Sequence, residues 1–331
     1  MYKLNLLRKI AAAGAFALLF NLSGEDKTAP ATVDKLLLER ARNGEAQAQL
    51  EAGFAFFRAN NPVRAAYWFQ AAAKQGSAPA QYNTGRCFLA GYGVKKNAHA
   101  ALEYFKLAAE QELPPAQFET ARLLLSGIPA APDDAPARMA VAPDEKAAVE
   151  LLEKLLIKRY SPALLLYADY LIKNQHGKNP QKIIALLEAA ITAGDNTAQM
   201  RLADFLLSRT DSFRNEKRAR RLLENASATD SEAMAKLAFA VENGFGAPPD
   251  PAKAFALYQQ SLEKKFIPLA ASRLANYYYT GSFGVKQDIA KAVELYTRAA
   301  VAGIPDAITQ LGICSKNGIG MQVNKAQAFE L

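Results

Sequence analysis

The sequence predicts an all-α fold in which helix-turn-helix units stack into an α/α superhelical solenoid, and three observations lead to this prediction. Alanine opens the same pattern eight times in 331 residues, at intervals of 32, 36, 47, 35, 35, 37 and 37. A small residue follows each alanine by five positions, and a large apolar residue follows by eight in every unit except the last. The eight alanines are Ala48, Ala80, Ala116, Ala163, Ala198, Ala233, Ala270 and Ala307. A fixed period of this length is typical of repeat architectures, which offer a long binding surface instead of one closed cavity.

The first element along the chain is a predicted export signal at residues 1–23. Lys3, Arg8 and Lys9 precede an apolar run at residues 10–20, as the basic and apolar regions of a secretory signal peptide do. No good cleavage site follows the run, so an uncleaved membrane anchor and a fortuitously apolar N-terminus are the alternatives. The signal predicts an exported protein, periplasmic or associated with the cell envelope.

Residues 24–31 are predicted to be a polar linker, and residues 32–44 a helix that caps the end of the solenoid. The repeats then occupy residues 45–331, about seven and a half units by the spacing of the alanines. The long interval of 47 residues marks a Pro- and Ala-rich insertion near residues 128–143. Two interpretations of this insertion are open, a surface loop or a segment that docks a partner.

Each unit contains two helical patterns, called here helix A and helix B. Helix A begins at the repeat alanine, and its positions 0, +4, +5 and +8 share one face. Helix B reads as alanine, two bulky apolar residues and two small ones at helical spacing, as in residues 65–73 and 292–300. It ends near a glycine, such as Gly76, Gly194 or Gly303, which suits a helix C-terminus.

Four units place a pair of glycines between helix A and helix B. The pairs are Gly91 with Gly93, Gly244 with Gly246, Gly281 with Gly284, and Gly318 with Gly320. Glycine allows the positive φ that a tight turn requires. Phosphate-binding loops also carry such pairs, but there a strand precedes the loop and a helix follows it. Here the pair closes a helix, which favours a turn.

The order of residues in 270–303 resembles the Sel1-like repeat, a relative of the tetratricopeptide repeat with a longer loop between its helices. The matching residues are Ala270, Leu274, Ala275, Tyr278, Gly281, Gly284, Val285, Asp288, Lys291, Ala292, Leu295, Tyr296, Ala299, Ala300 and Gly303. Residues 80–109 match next best, and the units at Ala163 and Ala198 lack the glycine pair. The resemblance covers about residues 45–331 and implies a non-catalytic adaptor or scaffold that binds protein partners on its concave face.

The same resemblance implies where a partner would bind, because helix A lines the concave face of such repeats. Polar and aromatic side chains that register places on the exposed side of helix A are therefore the expected contacts. The candidate partner-binding residues are Gln81, Asn83, Gln117, Gln199, Arg201, Arg273, Asn276, Tyr277 and Gln310.

The charge of the chain supports an alternative function. The formal net charge is +8, of which Lys3, Arg8 and Lys9 supply +3. The remaining +5 is mildly basic and does not require nucleic acid. The densest basic cluster comprises Arg214, Lys217, Arg218, Arg220 and Arg221. This cluster is either a solvated helix face or a surface for an anionic glycan or membrane. A peptidoglycan- or glycan-binding envelope module is thus the alternative to the adaptor.

Residues suited to catalysis are sparse. The two histidines, His99 and His176, have no zinc-ligand spacing around them, and no nucleotide-binding or hydrolase motif occurs. The two cysteines, Cys87 and Cys314, are expected to be small buried residues. A cysteine-rich branch of the resembled family is associated with β-lactam binding or hydrolysis, and this chain lacks its cysteine pairs. We therefore expect no enzyme, no cofactor and no metal, with a β-lactamase-like hydrolase as the least favoured alternative.

Overall fold

The computed structural model describes residues 33–129, 141–174 and 178–323. The chain forms two compact units, divided between Ala148 and Val149. The described residues form sixteen α-helices, and the β pairing recorded among them is one isolated bridge. The predicted all-α fold class is therefore confirmed. The predicted signal at 1–23 and linker at 24–31 lie outside the described residues.

The helices follow the predicted alternation of A and B. The first unit contains α1 (Lys35–Arg42), α2 (Ala46–Arg58), α3 (Pro62–Lys74), α4 (Ala78–Ala90), α5 (Ala98–Glu110) and α6 (Pro114–Ser126). Helix α7 (Glu145–Ile157) contains the division between the units. The second unit continues with α8 (Pro162–Asn174), α9 (Pro180–Thr192), α10 (Asn196–Ser208), α11 (Glu216–Ser227), α12 (Ser231–Glu242), α13 (Pro251–Lys264), α14 (Pro268–Thr280), α15 (Ile289–Val301) and α16 (Pro305–Asn317).

Within each compact unit, helices pack on their neighbours in sequence, which is the arrangement of a solenoid. The even-numbered helices from α2 to α16 are A helices, and the odd-numbered ones from α3 to α15 are B helices. Contacts join consecutive helices from α1 to α6 in the first unit and from α8 to α16 in the second. Helix α1 packs on α2, in the place that a preceding B helix would take.

The small residues of helix A make room for bulky residues of helix B. All eight repeat alanines are fully buried. A Cβ added to Gly53 would lie 2.5 Å from the ring of Phe69, and one added to Gly85 would lie 2.7 Å from the ring of Phe105. The small residue at position +5 therefore lets the two helices of a unit approach closely.

Every described B helix begins with an asparagine or aspartate whose side-chain oxygen accepts a hydrogen bond from the backbone N–H three residues later. The N–O distances lie between 2.9 and 3.2 Å. The seven residues are Asn61, Asn97, Asp144, Asn179, Asn215, Asp250 and Asp288. Such caps satisfy a backbone donor that the helix itself leaves free.

The predicted insertion is closed at its base by backbone hydrogen bonds. Ile128 and Val141 form an antiparallel bridge, with N–O distances of 2.9 and 2.8 Å. The side chain of Ile128 is buried. The two ends of the insertion are thus held side by side, and residues 130–140 lie outside the described residues.

Candidate functional site

The predicted glutamines of the first unit are structural. Gln81 and Gln117 are 6% and 4% exposed, so the expectation that they are exposed is wrong. The Gln81 amide donates to the Ala73 carbonyl at 3.5 Å, and its Oε1 accepts from Gln111 at 2.8 Å. Gln49 has the same pair of contacts, to Ala41 and Gln75. Position +1 of helix A faces the end of the preceding B helix, which explains the burial.

Asn83 and Tyr277 are also buried, each 4% exposed, so their expected exposure is wrong as well. The Asn83 amide donates to the Pro79 carbonyl, one turn earlier in its own helix. Asn276 is half-buried and accepts a hydrogen bond of 2.6 Å from the Tyr296 hydroxyl. These side chains face neighbouring helices because the buried face of helix A is wider than the four positions that the pattern marks.

Gln199 and Gln310 are half-buried. The Oε1 atom of Gln199 is buried without a hydrogen-bond partner among the described residues. Gln81 receives its hydrogen bond from a glutamine at the end of the next B helix. The corresponding end of α11 has Ala228 as its C-cap, which has no side-chain amide to donate.

Arg201 and Arg273 do reach the surface and lie in a row that crosses the A helices of the second unit. Arg201 is 3.5 Å from Asp169 of the preceding A helix. Lys236 forms an ion pair with Asp204 in the same way. Arg273 lies over the ring of Phe239, 5.0 Å from its centroid, and 3.7 Å from Asp306 of the next A helix.

We call these six side chains the A-helix row: Asp169, Arg201, Asp204, Lys236, Phe239 and Arg273. Each contact joins position +3 of one A helix to position +6 of the A helix before it. Positions +3 and +6 lie on the same side of a helix. The same pair of positions can therefore meet between each A helix and the next. Side-chain exposures from 25% to 55% for the charged members leave them partly open to a partner.

Sequence reasoning missed Asp169, Asp204, Lys236 and Phe239. Opposite charges at +6 of one unit and +3 of the next were the available signal, and it appears only when successive repeats are aligned. Burial raises the pKa of Asp169, and the nearby Arg201 opposes this by favouring the charged form.

A second group of side chains surrounds the carboxylate of Glu242 at the end of α12. The hydroxyl of the fully buried Tyr258 donates to Glu242 Oε2 at 2.9 Å. The Tyr277 hydroxyl is buried in the same region, without a hydrogen bond of normal geometry. Burial, followed by the charge of Glu242, raises the pKa values of both tyrosines. The rings of Phe255 and Phe283 pack against Tyr277.

The basic cluster on and before α11 is largely neutralised. Arg214 pairs with Glu216, Arg218 with Glu188, and Arg220 with Glu224. Lys217 and Arg221 are exposed. The cluster is therefore closer to a solvated helix face than to a concentrated positive surface.

The cysteines and histidines give no catalytic arrangement within the described residues. Cys87 and Cys314 are buried free thiols, and burial raises the pKa of Cys87 to about 12, which disfavours the reactive thiolate. His99 lies in the first turn of α5, and His176 lies outside the described residues. No group of three or more potential ligands is placed to hold a metal ion in the described ranges. The helices of those ranges include none that is long and apolar enough to cross a membrane.

A family model described as Sel1 repeat matches more than half of the chain. The matched residues are 46–77, 78–113, 196–228, 231–266, 268–303 and 305–331. The unit at Ala198, expected to be degenerate, is among them. The repeats at Ala116 and Ala163 are not, although the helices α6 to α9 lie there.

Two solved structures share the fold. One is a Sel1 repeat protein from Oxalobacter formigenes, 22% identical, with a TM-score of 0.64 over 89% of this chain and 84% of that one. The other is c5321, a protective antigen present in uropathogenic Escherichia coli strains and displaying an SLR fold. It is 21% identical, with a TM-score of 0.53 over 89% of this chain and 78% of that one. No curated protein sequence matches the chain.

Proposed function

Because this chain belongs to the Sel1 repeat family, we propose that it is a non-catalytic adaptor that binds protein partners on the face formed by its A helices. Repeats of this family generally serve as protein-interaction scaffolds. Fold alone does not establish function, so the proposal rests on one observation, the A-helix row. We further propose that the adaptor works after export, in the periplasm or at the cell envelope.

The A-helix row suits an extended partner because its charges recur once per repeat. Asp169, Asp204, Lys236, Arg201 and Arg273 lie on four successive A helices, α8, α10, α12 and α14, so a segment running across them meets both signs of charge in turn. Ion pairs between neighbouring helices hold these side chains in place before a partner arrives, which lowers the entropy cost of binding. Partly exposed charges of this kind contribute to specificity and association rate.

Cross-linked affinity capture of the tagged chain from its own cells, read by mass spectrometry, tests the adaptor. The double variant Arg201→Glu, Lys236→Glu reverses two charges of the row without touching the buried core. We expect it to lose protein partners that the natural chain retains. Lys106→Glu is the matched control, because Lys106 forms a comparable exposed pair with Glu103 on a B helix.

Two results would contradict the adaptor: no partner retained by the natural chain, or the same set retained by the double variant. In either case the glycan-binding alternative becomes the next hypothesis. Pelleting with purified cell wall at low and high salt tests it, since attraction through exposed cations weakens as salt screens charge.

Export has its own test. Residues 1–23 combine a basic start with an apolar run. We expect the C-terminally tagged chain in the envelope or periplasmic fraction, and expect a chain lacking residues 2–23 in the cytoplasmic fraction. The same distribution for both chains would contradict export through this segment.

A further inference from the structure

The loop between α14 and α15 departs from the pattern of the other glycine-pair loops. In three repeats the second glycine packs on the first residue of the preceding B helix. These contacts join Gly93 to Pro62, Gly246 to Glu216, and Gly320 to Ile289. The corresponding Gly284 has no atom within 4 Å of its Cβ position. It therefore does not cover the start of α13 at Pro251.

One extra residue accounts for the difference. Two residues, Ser282 and Phe283, separate the glycines of this loop, where the other pairs are separated by one. Phe283 takes a positive φ of 57° and is 66% exposed. An aromatic residue in the left-handed region is unfavourable, and such strain is commonly found at functional sites.

The ring of Phe283 adjoins other rings. Its centroid is 6.0 Å from that of Tyr277, which in turn lies 5.5 Å from Phe255. Aromatic faces carry a partial negative charge that attracts cations. Phe283 thus presents an exposed aromatic surface backed by two further rings.

Two carboxylates lie close enough to Tyr277 to act on its hydroxyl. Glu242 is half-buried at the end of α12, and Asp250 is exposed at the start of α13. After burial, Glu242 raises the pKa of Tyr277, Asp250 acts in the same direction, and Arg273 opposes them. Arg273 is already engaged by Phe239 and Asp306. The three groups that act on Tyr277 together have a formal charge of −1, which favours a cation beside them.

We propose that Phe283, backed by the buried ring of Tyr277, forms with Glu242 and Asp250 a subsite that binds a cationic side chain, an arginine or a lysine, from an extended segment of a protein partner. This inference rests on the proposed adaptor function. The aromatic face and the carboxylates both attract a cation, whereas an anionic side chain would be repelled. An apolar side chain would cover charged groups without pairing them, which costs free energy.

Binding of short peptides to the purified full chain tests the subsite. The probes are three acetylated and amidated hexapeptides of glycine whose two central residues are arginine, glutamine or glutamate. NMR of the protein with labelled phenylalanine rings follows Phe283, whose signal is the one missing from Phe283→Gly. We expect a saturable shift of this signal with the arginine peptide, weakened by salt. An equal shift with the glutamine or glutamate peptide would overturn the proposal.

Phe283→Gly separates binding from folding. Glycine accepts the positive φ, so we expect this variant to fold as the natural chain does, which its circular dichroism spectrum checks. We also expect about threefold weaker binding of the arginine peptide, because one exposed cation–π contact is lost. The NMR signals of the peptide report this affinity, since the variant has no Phe283 signal. Tyr67→Ala removes another exposed aromatic, 63% exposed on α3, and should bind like the natural chain. Unchanged affinity in Phe283→Gly would refute the subsite.

The two proposals fail in distinguishable ways. If affinity capture retains partners that depend on the A-helix row, and the arginine peptide binds no better than the others, the subsite is wrong and the adaptor stands. If capture retains no partner, the adaptor fails whatever the peptides do.

Discussion

At the scale of single residues, the second glycine of each glycine-pair loop separates the cost of a left-handed backbone from the cost of a steric clash. Gly246 and Gly284 belong to the same unit and have nearly equal φ values of 75° and 81°. A Cβ on Gly246 would lie 2.8 Å from the backbone of Glu216, whereas one on Gly284 would meet nothing. Alanine at either position carries the same conformational cost, and only the first also meets a steric clash.

We therefore predict that Gly246→Ala lowers the free energy of unfolding more than Gly284→Ala does. The shared left-handed conformation costs about 1 kcal/mol, and the clash should add about 2 kcal/mol at Gly246. Urea unfolding followed by circular dichroism measures both. Equal losses would show that the loop containing Gly246 can move away from the start of α11 without losing free energy of unfolding.

Gln81 provides a second prediction at this scale. It both donates to Ala73 and accepts from Gln111, and it is buried, so Gln81→Ala should cost about 2 kcal/mol of unfolding free energy. Gln111 is exposed, and Gln111→Ala should cost about 1 kcal/mol or less. Thermal unfolding of both variants checks the order. An unchanged free energy of unfolding in Gln81→Ala would contradict the structural role of this residue.

At the scale of helices, a side-chain cap at the N-terminus is a constant feature of the described B helices but not of the A helices. Every described B helix has an aspartate or asparagine cap. Five A helices, α2, α4, α6, α14 and α16, begin without a side-chain cap. Four of those five carry proline in the first turn, where the backbone N–H that proline lacks would be unpaired in any case.

Asn215→Ala should destabilise α11 because it removes the acceptor for the Arg218 N–H at 2.9 Å. The expected loss is about 1 kcal/mol. Asn215→Asp keeps an acceptor and places negative charge at the helix N-terminus, so it should retain stability. Hydrogen exchange of the amides in the first turn of α11 is the direct readout, and equal exchange in both variants would contradict the capping role.

The sequence predicted the positions of the helices better than their exposed faces. The helices are predictable because their signals lie within one helix-turn-helix repeat. These signals are the repeat alanine, the small residue at +5 and the glycines of the turn. The exposure of a side chain depends instead on which residues of the neighbouring repeat pack against it. Gln81 is covered because a preceding B helix ends beside it, and Arg201 is open because its neighbour Asp169 is also near the surface. For the same reason the A-helix row could not be identified from a single unit.

At the scale of the whole molecule, buried and partly buried tyrosines make the stability of the fold sensitive to alkaline pH. Burial is the main cause that raises the pKa values of Tyr82, Tyr92, Tyr167, Tyr258, Tyr277 and Tyr296. In the unfolded chain these phenols ionise near their ordinary pKa of 10.0, while the folded chain keeps them neutral. The unfolded state therefore loses protons first as pH rises, and the folded state loses stability above that pH.

We predict that the urea midpoint declines from pH 9 to pH 11, a range that brackets the ordinary tyrosine pKa of about 10. Tyr258→Phe should be less stable than the natural chain at neutral pH because Glu242 loses its donor. Its decline above pH 10 should nonetheless be shallower, since one ionising phenol is gone. An identical slope in the variant would contradict a raised pKa for Tyr258.

The bridge between Ile128 and Val141 has an evolutionary consequence. Because it holds the two ends of the insertion together, the segment between them can change length without moving α6 or α7. Each doubling of such a segment costs only about 0.6 kcal/mol of closure entropy. New sequence, even a small foreign domain, can therefore be accepted between residues 130 and 140 while the bridge at the base of the insertion stays intact.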